Sequence, residues 1–375
     1  MSDVHDGQRV THESEQATPA TIRSVARAAN VSTATVSHVF NRTRPVSEDV
    51  RQRVVDVATQ LNYYPNYFAR GLTTRKSGTV GIVILDITNP YFAEIVRACE
   101  ATLRPLDYNL IVCNTDGHED TEEEYLRLLM SKRVDGIIAA VTSERWVALQ
   151  LATAHGFPII YVDHMAAGID GPLVCVDNER GTYQCISHLI DDRHERIAII
   201  TGPTIIGSMR ERLVGYRRAL KDRGIEVDER LVKQSQQDVL SASQTMEELL
   251  SQEPRPSAVF LSNNIIALGA LTAIRHLGLA CPSDIALAAF DDVDWMSIAD
   301  PPLTTVRQPT HDLGALATRL LMQLIQGEKV SESAIMLQPK LIIRESCRGD
   351  RHATSGGIPG NARADGVNKE RRRVR

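Results

Sequence analysis

Residues 21–41 read TIRSVARAANVSTATVSHVFN, and residues 45–61 read PVSEDVRQRVVDVATQL. In the first stretch Ile22, Val25, Ala26 and Ala29 recur at i, i+3, i+4 and i+7, the spacing of one buried helix face. Thr21 precedes that face and can cap it. Ser32 can cap a second helix over about 33–40, on which Val36, Val39 and Phe40 share one sector. The opposite sector carries Thr33, Ala34, Ser37, His38 and Asn41, all small or polar. Ser47 can cap a third helix, with Glu48 and Asp49 in its first turn complementing the dipole. Its apolar stripe is Val50, Val54, Val57 and Leu61. Three short helices with one small polar face left outward have the shape of a helix-turn-helix, and equally that of an ordinary three-helix domain with a solvated face. That face suits a major groove: Thr33 and His38 can hydrogen-bond base edges, and Ala34 can meet a thymine methyl.

Charge supports the same reading. The whole chain of 375 residues carries a formal charge of −5, which alone argues against nucleic acid. Residues 21–76 reverse it, with nine Arg and Lys against three acids, 9 − 3 = +6. A short basic module on an acidic body is what phosphate binding requires.

Downstream of Pro65, Asn66 to Leu72 has a helical pattern. It is far shorter than the ~12–15 residues an isolated helix needs in water. Lys76 to Thr79 reads as a linker. From Val80 onward, apolar runs of strand length alternate with helical patterns. The first round is 80–85, helix 90–103, 109–113, helix 119–131, 136–141, helix 144–155, 158–162 and 173–176. The second is 196–200, helix 208–223, 230–234, helix 239–251, 258–261, helix 264–277 and 285–290. A late helix over about 309–326 and strands near 334–337 and 340–344 complete it. Repeated βα units imply doubly wound parallel sheets with helices on both faces, here as two similar α/β lobes.

The strings TIRSVARAANVSTATVSHVFN and RPVSEDVRQRVVDVATQLNYYPN, followed by ARGL, resemble the LacI/GalR family of repressors. The resemblance is dense over about 55 residues and continues in pieces to about residue 345. It implies a helix-turn-helix head joined to a periplasmic-binding-protein-like core. It also implies that Asn66–Leu72 is a hinge helix that folds when two copies meet on DNA. Leu72 would then wedge into the minor groove, with Arg70 on phosphate or in the groove. An inserted Leu unstacks a base step at a cost of a few kcal/mol, offset by wider contact. The candidate DNA contacts are Thr21, Ser32, Thr33, Ala34, Thr35 and Ser37, then His38, Asn41, Asn66, Arg70 and Leu72. The expected organisation is a disordered tail over 1–20, the head over 21–65 and a hinge and linker over 66–76. A two-lobed core follows over 77–345, and a disordered basic tail over 346–375.

Ligands of doubly wound sheets bind outside the carboxyl ends of the strands. Those ends carry hydrogen-bonding forks and aromatic faces, the chemistry of a polyhydroxylated ligand, though helix caps and strand-end turns use the same residue types. PYFAEI and FDD, the latter followed by PPLTTVRQP, look like the family's two pocket segments. By that resemblance Asp291, Arg212, Asn263 and Phe92 are effector contacts, with Asp163, Tyr91 and Trp295 behind them. Two departures stand out. Asn264 follows Asn263 where the family commonly has Asp, and His164 stands where it often has Arg.

Other classes fit less well. The first strand-to-helix turn, DITNPYF, has no GxGxxG, and no Walker A lysine loop occurs, so an α/β enzyme lacks its phosphate cradle. The histidines show no metal-ligand spacing, and neither metal nor cofactor is expected. A sugar- or nucleoside-binding protein without a DNA role would lack the basic head. No apolar run reaches the ~18–20 residues of a membrane span. The first twenty residues lack a signal peptide's apolar core. The six scattered cysteines include no CxxC pair and read as small buried hydrophobes. The expectation is therefore a cytoplasmic homodimer on a pseudo-palindromic operator, with a sugar or related polyol as effector. The C-terminal tail lacks apolar heptads, which argues for a dimer over a tail-tethered tetramer.

Overall fold

The computed structural model describes residues 20–41, 44–63, 76–141, 147–164 and 171–347. Expectations placed on Asn66, Arg70, Leu72 and the two terminal tails fall outside these residues, apart from Ala20, Ser346 and Cys347. The chain divides into two compact units after Ser77.

The first unit holds helices α1 (Ile22–Ala28), α2 (Thr33–Asn41) and α3 (Glu48–Gln60). Thr21 and Ser24 cap α1 reciprocally, each accepting from the other's backbone N–H. Ser32 Oγ accepts from Thr35 N at 3.0 Å and caps α2. Ser47 stands at the start of α3 but makes no side-chain capping bond. The core is Val25, Ala26, Ala29, Val36, Val39, Val54 and Ala58. Leu61 lies past the last turn and stays 39% exposed, so Ala58 takes its place in the stripe.

The second unit is built on two six-stranded sheets. In chain order the strands are β1 (Thr79–Ile84), β2 (Asn109–Asn114), β3 (Gly136–Ala139), β4 (Ile159–Val162) and β5 (Leu173–Val176). Then come β6 (Ile197–Thr201), β7 (Val232–Gln234), β8 (Ala258–Leu261), β9 (Ala286–Phe290) and β10 (Thr304–Arg307). The last two are β11 (Ala334–Leu337) and β12 (Lys340–Ile342). The orders are β11-β5-β4-β3-β1-β2 and β12-β10-β9-β8-β6-β7, the same winding twice. Every pairing is parallel except β10 with β12.

Helices flank both sheets: α4 (Pro90–Leu103), α5 (Glu119–Ser131), α6 (Val147–Ala154), α7 (Asn178–Asp191) and α8 (Gly207–Asp222). They continue with α9 (Val239–Leu250), α10 (Asn264–His276), the short α11 (Asp294–Ile298) and α12 (Thr310–Ile325). The expected α/β alternation holds, and the structure adds α7, α11 and β10 to it. The chain also passes between lobes three times. After β5 it enters the second lobe, where Cys185, Ile186 and Leu189 of α7 join that core. After β10 it returns, and Leu313, Ala317 and Leu321 of α12 pack into the first core beside Ile95 and Cys99. After β11 it crosses again to β12.

Glycines at helix contacts set the helix spacing. A Cβ at Gly314 would lie 2.5 Å from Ile95 O, so α12 and α4 touch along their backbones. A Cβ at Gly215 would lie 2.3 Å from Glu179 O, which fixes α8 against α7 in the same way.

The core also runs past 345. Ser346 and Cys347, assigned by composition to the tail, are fully buried. Ser346 Oγ donates to Leu287 O at 2.6 Å and accepts from Thr304 N at 2.8 Å. The antiparallel β12 delivers them there, which composition could not reveal. Among the described residues no helix is long and apolar enough to cross a membrane.

Candidate functional site

In the head, α2 turns Val36 and Val39 inward and leaves Thr33 and Ala34 exposed, with Ser37, His38 and Asn41 half-buried. Asn41 Nδ2 donates to Ser37 Oγ at 3.0 Å, which holds both side chains on that face. Ser32 Oγ and Thr35 Oγ1 meet at 2.9 Å. Arg51 of α3 donates to Val39 O at 3.2 Å and steadies the end of α2. On this packed helix the polar sector is open to solvent only at Thr33 and Ala34.

In the second unit, side chains from the strand ends of both lobes converge. The topologically equivalent β4 and β9 each end on an aspartate in the left-handed region, Asp163 at φ 72° and Asp291 at φ 73°. Aspartate tolerates that conformation because its short polar side chain bonds locally. Tyr91 Oη donates to Asp163 Oδ1 at 2.7 Å, and His164 Nδ1 lies 2.8 Å from Asp163 Oδ2. Burial would raise the Asp163 carboxyl, but the hydrogen bond and charge of His164 and the Tyr91 hydroxyl hold it below its usual value. Burial first, and Asp163 next, push the Tyr91 phenol well above its ordinary value, so it remains a donor.

Asp291 gathers the other wall. Its carboxylate accepts from Asn264 N and Nδ2, both at 3.0 Å, and from Gln308 Nε2 at 2.6 Å. Asn264 Nδ2 also reaches across the cleft to Asn89 Oδ1 at 2.9 Å. Asn89 in turn caps α4, accepting from Tyr91 N at 3.0 Å. Asn264, where the family commonly carries Asp, therefore latches the lobes through a donor that a carboxylate lacks. Arg212 stacks 3.7 Å above the Phe290 ring and donates to Asn178 Oδ1 and Ser262 O. Asn263 caps α10 through Ile266 N and donates to Gln237 Oε1. Phe92 meets Tyr91 edge-on at 5.0 Å.

Tyr91, Phe92, Asp163, Arg212, Asn263 and Asp291 line one interlobe space of about 30 Å³. That is room for one or two waters, not a sugar ring. Trp295 does not line this space but lies beside it. It lines a broader cavity of about 800 Å³, with Arg97, Arg307 and His311, which adjoins the first through Tyr91, Asp291 and Gln308. Asp292 turns away from Asp291 and pairs with Arg344 at 2.7 Å and Arg307 at 2.5 Å. The two adjacent acids do not converge, as expected of neighbours on a loop.

Sequence reasoning missed Asn178 and Gln308. Both follow strand carboxyl ends, β5 and β10, and the same rule applied to those strands finds them. Gln308 Oε1 and His164 Nε2 are buried without a hydrogen-bond partner among the described residues.

Residues 77–345 match the model described as periplasmic binding proteins and sugar binding domain of LacI family. Residues 21–66 match that of bacterial regulatory proteins, lacI family. The chain belongs to the lacI family. Among curated relatives of this lacI-family chain, the HTH-type transcriptional repressor PurR of Photobacterium profundum is 34% identical over 88% of the chain and 99% of its own length. The ribose operon repressor of Haemophilus influenzae is 34% identical over 87% and 98%. Of solved structures, a lac repressor dimer bound to operator and the anti-inducer ONPF superposes with a TM-score of 0.78 at 27% identity, covering 88% and 99%. A CelR–cellobiose complex gives 0.68 at 31%, covering 87% and 99%. This lacI-family chain is a DNA-binding transcriptional regulator and not an enzyme.

Proposed function

We propose that the chain is a cytoplasmic homodimeric repressor whose operator affinity is set by a neutral polyhydroxylated effector held between the lobes. The convergence of Asp163, Asp291, Arg212 and Asn263 from opposite lobes on one space carries this reading. Two carboxylates against one guanidinium suit hydroxyl donors better than an anion. Phe92 and Tyr91 offer a wall for a ring's C–H face. The relatives named for the ribose operon and crystallised with cellobiose support a sugar. Because the space is small, the lobes part to admit the ligand. The ligand then biases the interlobe angle by binding the two states unequally.

In this reading Thr33, Ala34, Ser37, His38 and Asn41 read base edges, while Thr21, Ser32 and Thr35 position the helix on phosphate. Asn66, Arg70 and Leu72 carry the core's state to the minor groove. Two heads then grip half-sites about one helical turn apart.

A thermal-shift screen of the full chain with sugars, polyols and nucleosides tests the effector. Ligand at 100 times its Kd stabilises by about 2.7 kcal/mol, a shift of several degrees. Asp291→Asn should abolish the shift. A hit that shifts the variant equally removes Asp291 from the site, and a screen in which only anionic compounds score overturns the neutral polyol.

A further inference from the structure

The end of the second lobe opposite the cleft holds chemistry that neither DNA binding nor the effector uses. Helix α7 starts beside the cleft at Asn178 and runs 14 residues, about 20 Å at 1.5 Å per residue. At its far end His188 and Asp192 stand one turn apart, against Cys347. His188 Nε2 lies 3.2 Å from Cys347 Sγ and 3.6 Å from Asp192 Oδ2. All three ligand atoms fall within 4.8 Å of one another.

We propose that His188, Asp192 and Cys347 bind a divalent cation of the zinc class. Around tetrahedral zinc, with bonds of about 2.0–2.3 Å, neighbouring N, O and S ligands are about 3.4–3.6 Å apart. Two of the three edges are already within a few tenths of an ångström of that. The third closes by rotating Asp192, whose side chain is 33% exposed. One nitrogen, one oxygen and one sulfur are a borderline donor set, which favours zinc or cobalt over magnesium. The exposed side of Asp192 leaves a fourth position to water.

Two further observations point to a cation. Asp192 caps the carboxyl end of α7, where the helix dipole disfavours negative charge. Its neighbour Asp191 is satisfied by Arg223 at 2.6 Å, but among the described residues Asp192 pairs with no Lys or Arg. Thr304 Oγ1 lies 2.9 Å from Cys347 Sγ and can turn its proton to a thiolate, the kind of outer hydrogen bond that supports a metal-bound sulfur. A thiol–imidazole hydrogen bond alone accounts for the His188–Cys347 contact but not for Asp192. On binding, the Cys347 proton passes to solvent. The ion then clasps the last described residue of the core to α7.

The test is a cobalt titration of the chelator-stripped full chain, read by absorption. One Co²⁺ per chain is expected, with a thiolate-to-cobalt charge-transfer band that Zn²⁺ abolishes and Mg²⁺ does not. Cys347→Ser should remove the band, and Asp192→Asn and His188→Gln should weaken binding at least about tenfold. Should Cys347→Ser fail to fold, the two helix variants decide. A wild-type chain with no thiolate band overturns the proposal. So does a band of unchanged affinity in Asp192→Asn and His188→Gln, which places the cobalt on another cysteine.

Discussion

Asn264→Ala removes the interlobe latch. Its Nδ2 group donates across the cleft to Asn89 at 2.9 Å and within its own lobe to Asp291 at 3.0 Å. The first is a neutral bond worth about 1 kcal/mol net, the second a charge-assisted one worth about 2 kcal/mol. Helix α10 keeps its cap, because Asn263 Oδ1 still accepts from Ile266 N. Asp291 keeps the Asn264 backbone N–H and Gln308. The core should therefore lose about 2–4 kcal/mol of unfolding free energy. Only the bond to Asn89 separates open from closed lobes, so the open population should rise by about 1 kcal/mol, roughly fivefold. Urea unfolding reads the first number. Amide exchange over residues 89–92 and 262–266, which face each other across the cleft, reads the second. Exchange about fivefold faster in both segments is expected. Unchanged exchange with an unfolding free energy within about 0.5 kcal/mol of wild type would refute the latch.

Acid should weaken the second lobe through Asp292. Burial would raise this carboxyl, but Arg344, Arg307 and Thr305 hold it below its usual value of 3.8. A depressed acid contributes stability that is fully present above its unfolded pKa and is lost as pH falls through the folded one. Asp292→Asn should thus cost about 3 kcal/mol at pH 7, with the gap to wild type closing below about pH 4 in acid denaturation. Gly215→Ala should lower the melting temperature. The usual helix gain of about 1 kcal/mol is outweighed by the overlap with Glu179 O, costing about 1–3 kcal/mol. Thr33→Val keeps the shape of α2 and removes one exposed hydroxyl. Specific DNA binding should fall roughly five- to hundredfold in a fixed-salt titration, while binding to unrelated duplex stays unchanged.

Much of this was legible in the sequence, for definable reasons. Helical spacing and caps exposed α1 and α2 because local rules determine them. Residues placed after strand ends found Asp163 and Asp291, since parallel strands deliver loops to one rim. Helix α7 escaped because its stripe is interrupted: Gly181 and Thr182 are buried where an apolar residue would mark the face. Trp295 follows Asp291 closely in the chain and shares the broader cavity with it, but α11 keeps it out of the smaller interlobe space. The latch of Asn264 on Asn89 joins residues 175 apart, and no local pattern encodes such a pair. Ser346 and Cys347 were hidden by the Gly- and Arg-rich composition that follows them.

Control of DNA reading by a ligand between the lobes is tested most directly by selection of bound duplexes from a random library by the full chain, repeated with a thermal-shift hit present. A two-fold symmetric motif with half-sites about one turn apart is expected, its recovery changing at least tenfold with the ligand. Enrichment of no motif, or of one whose recovery the ligand leaves unchanged, would contradict it.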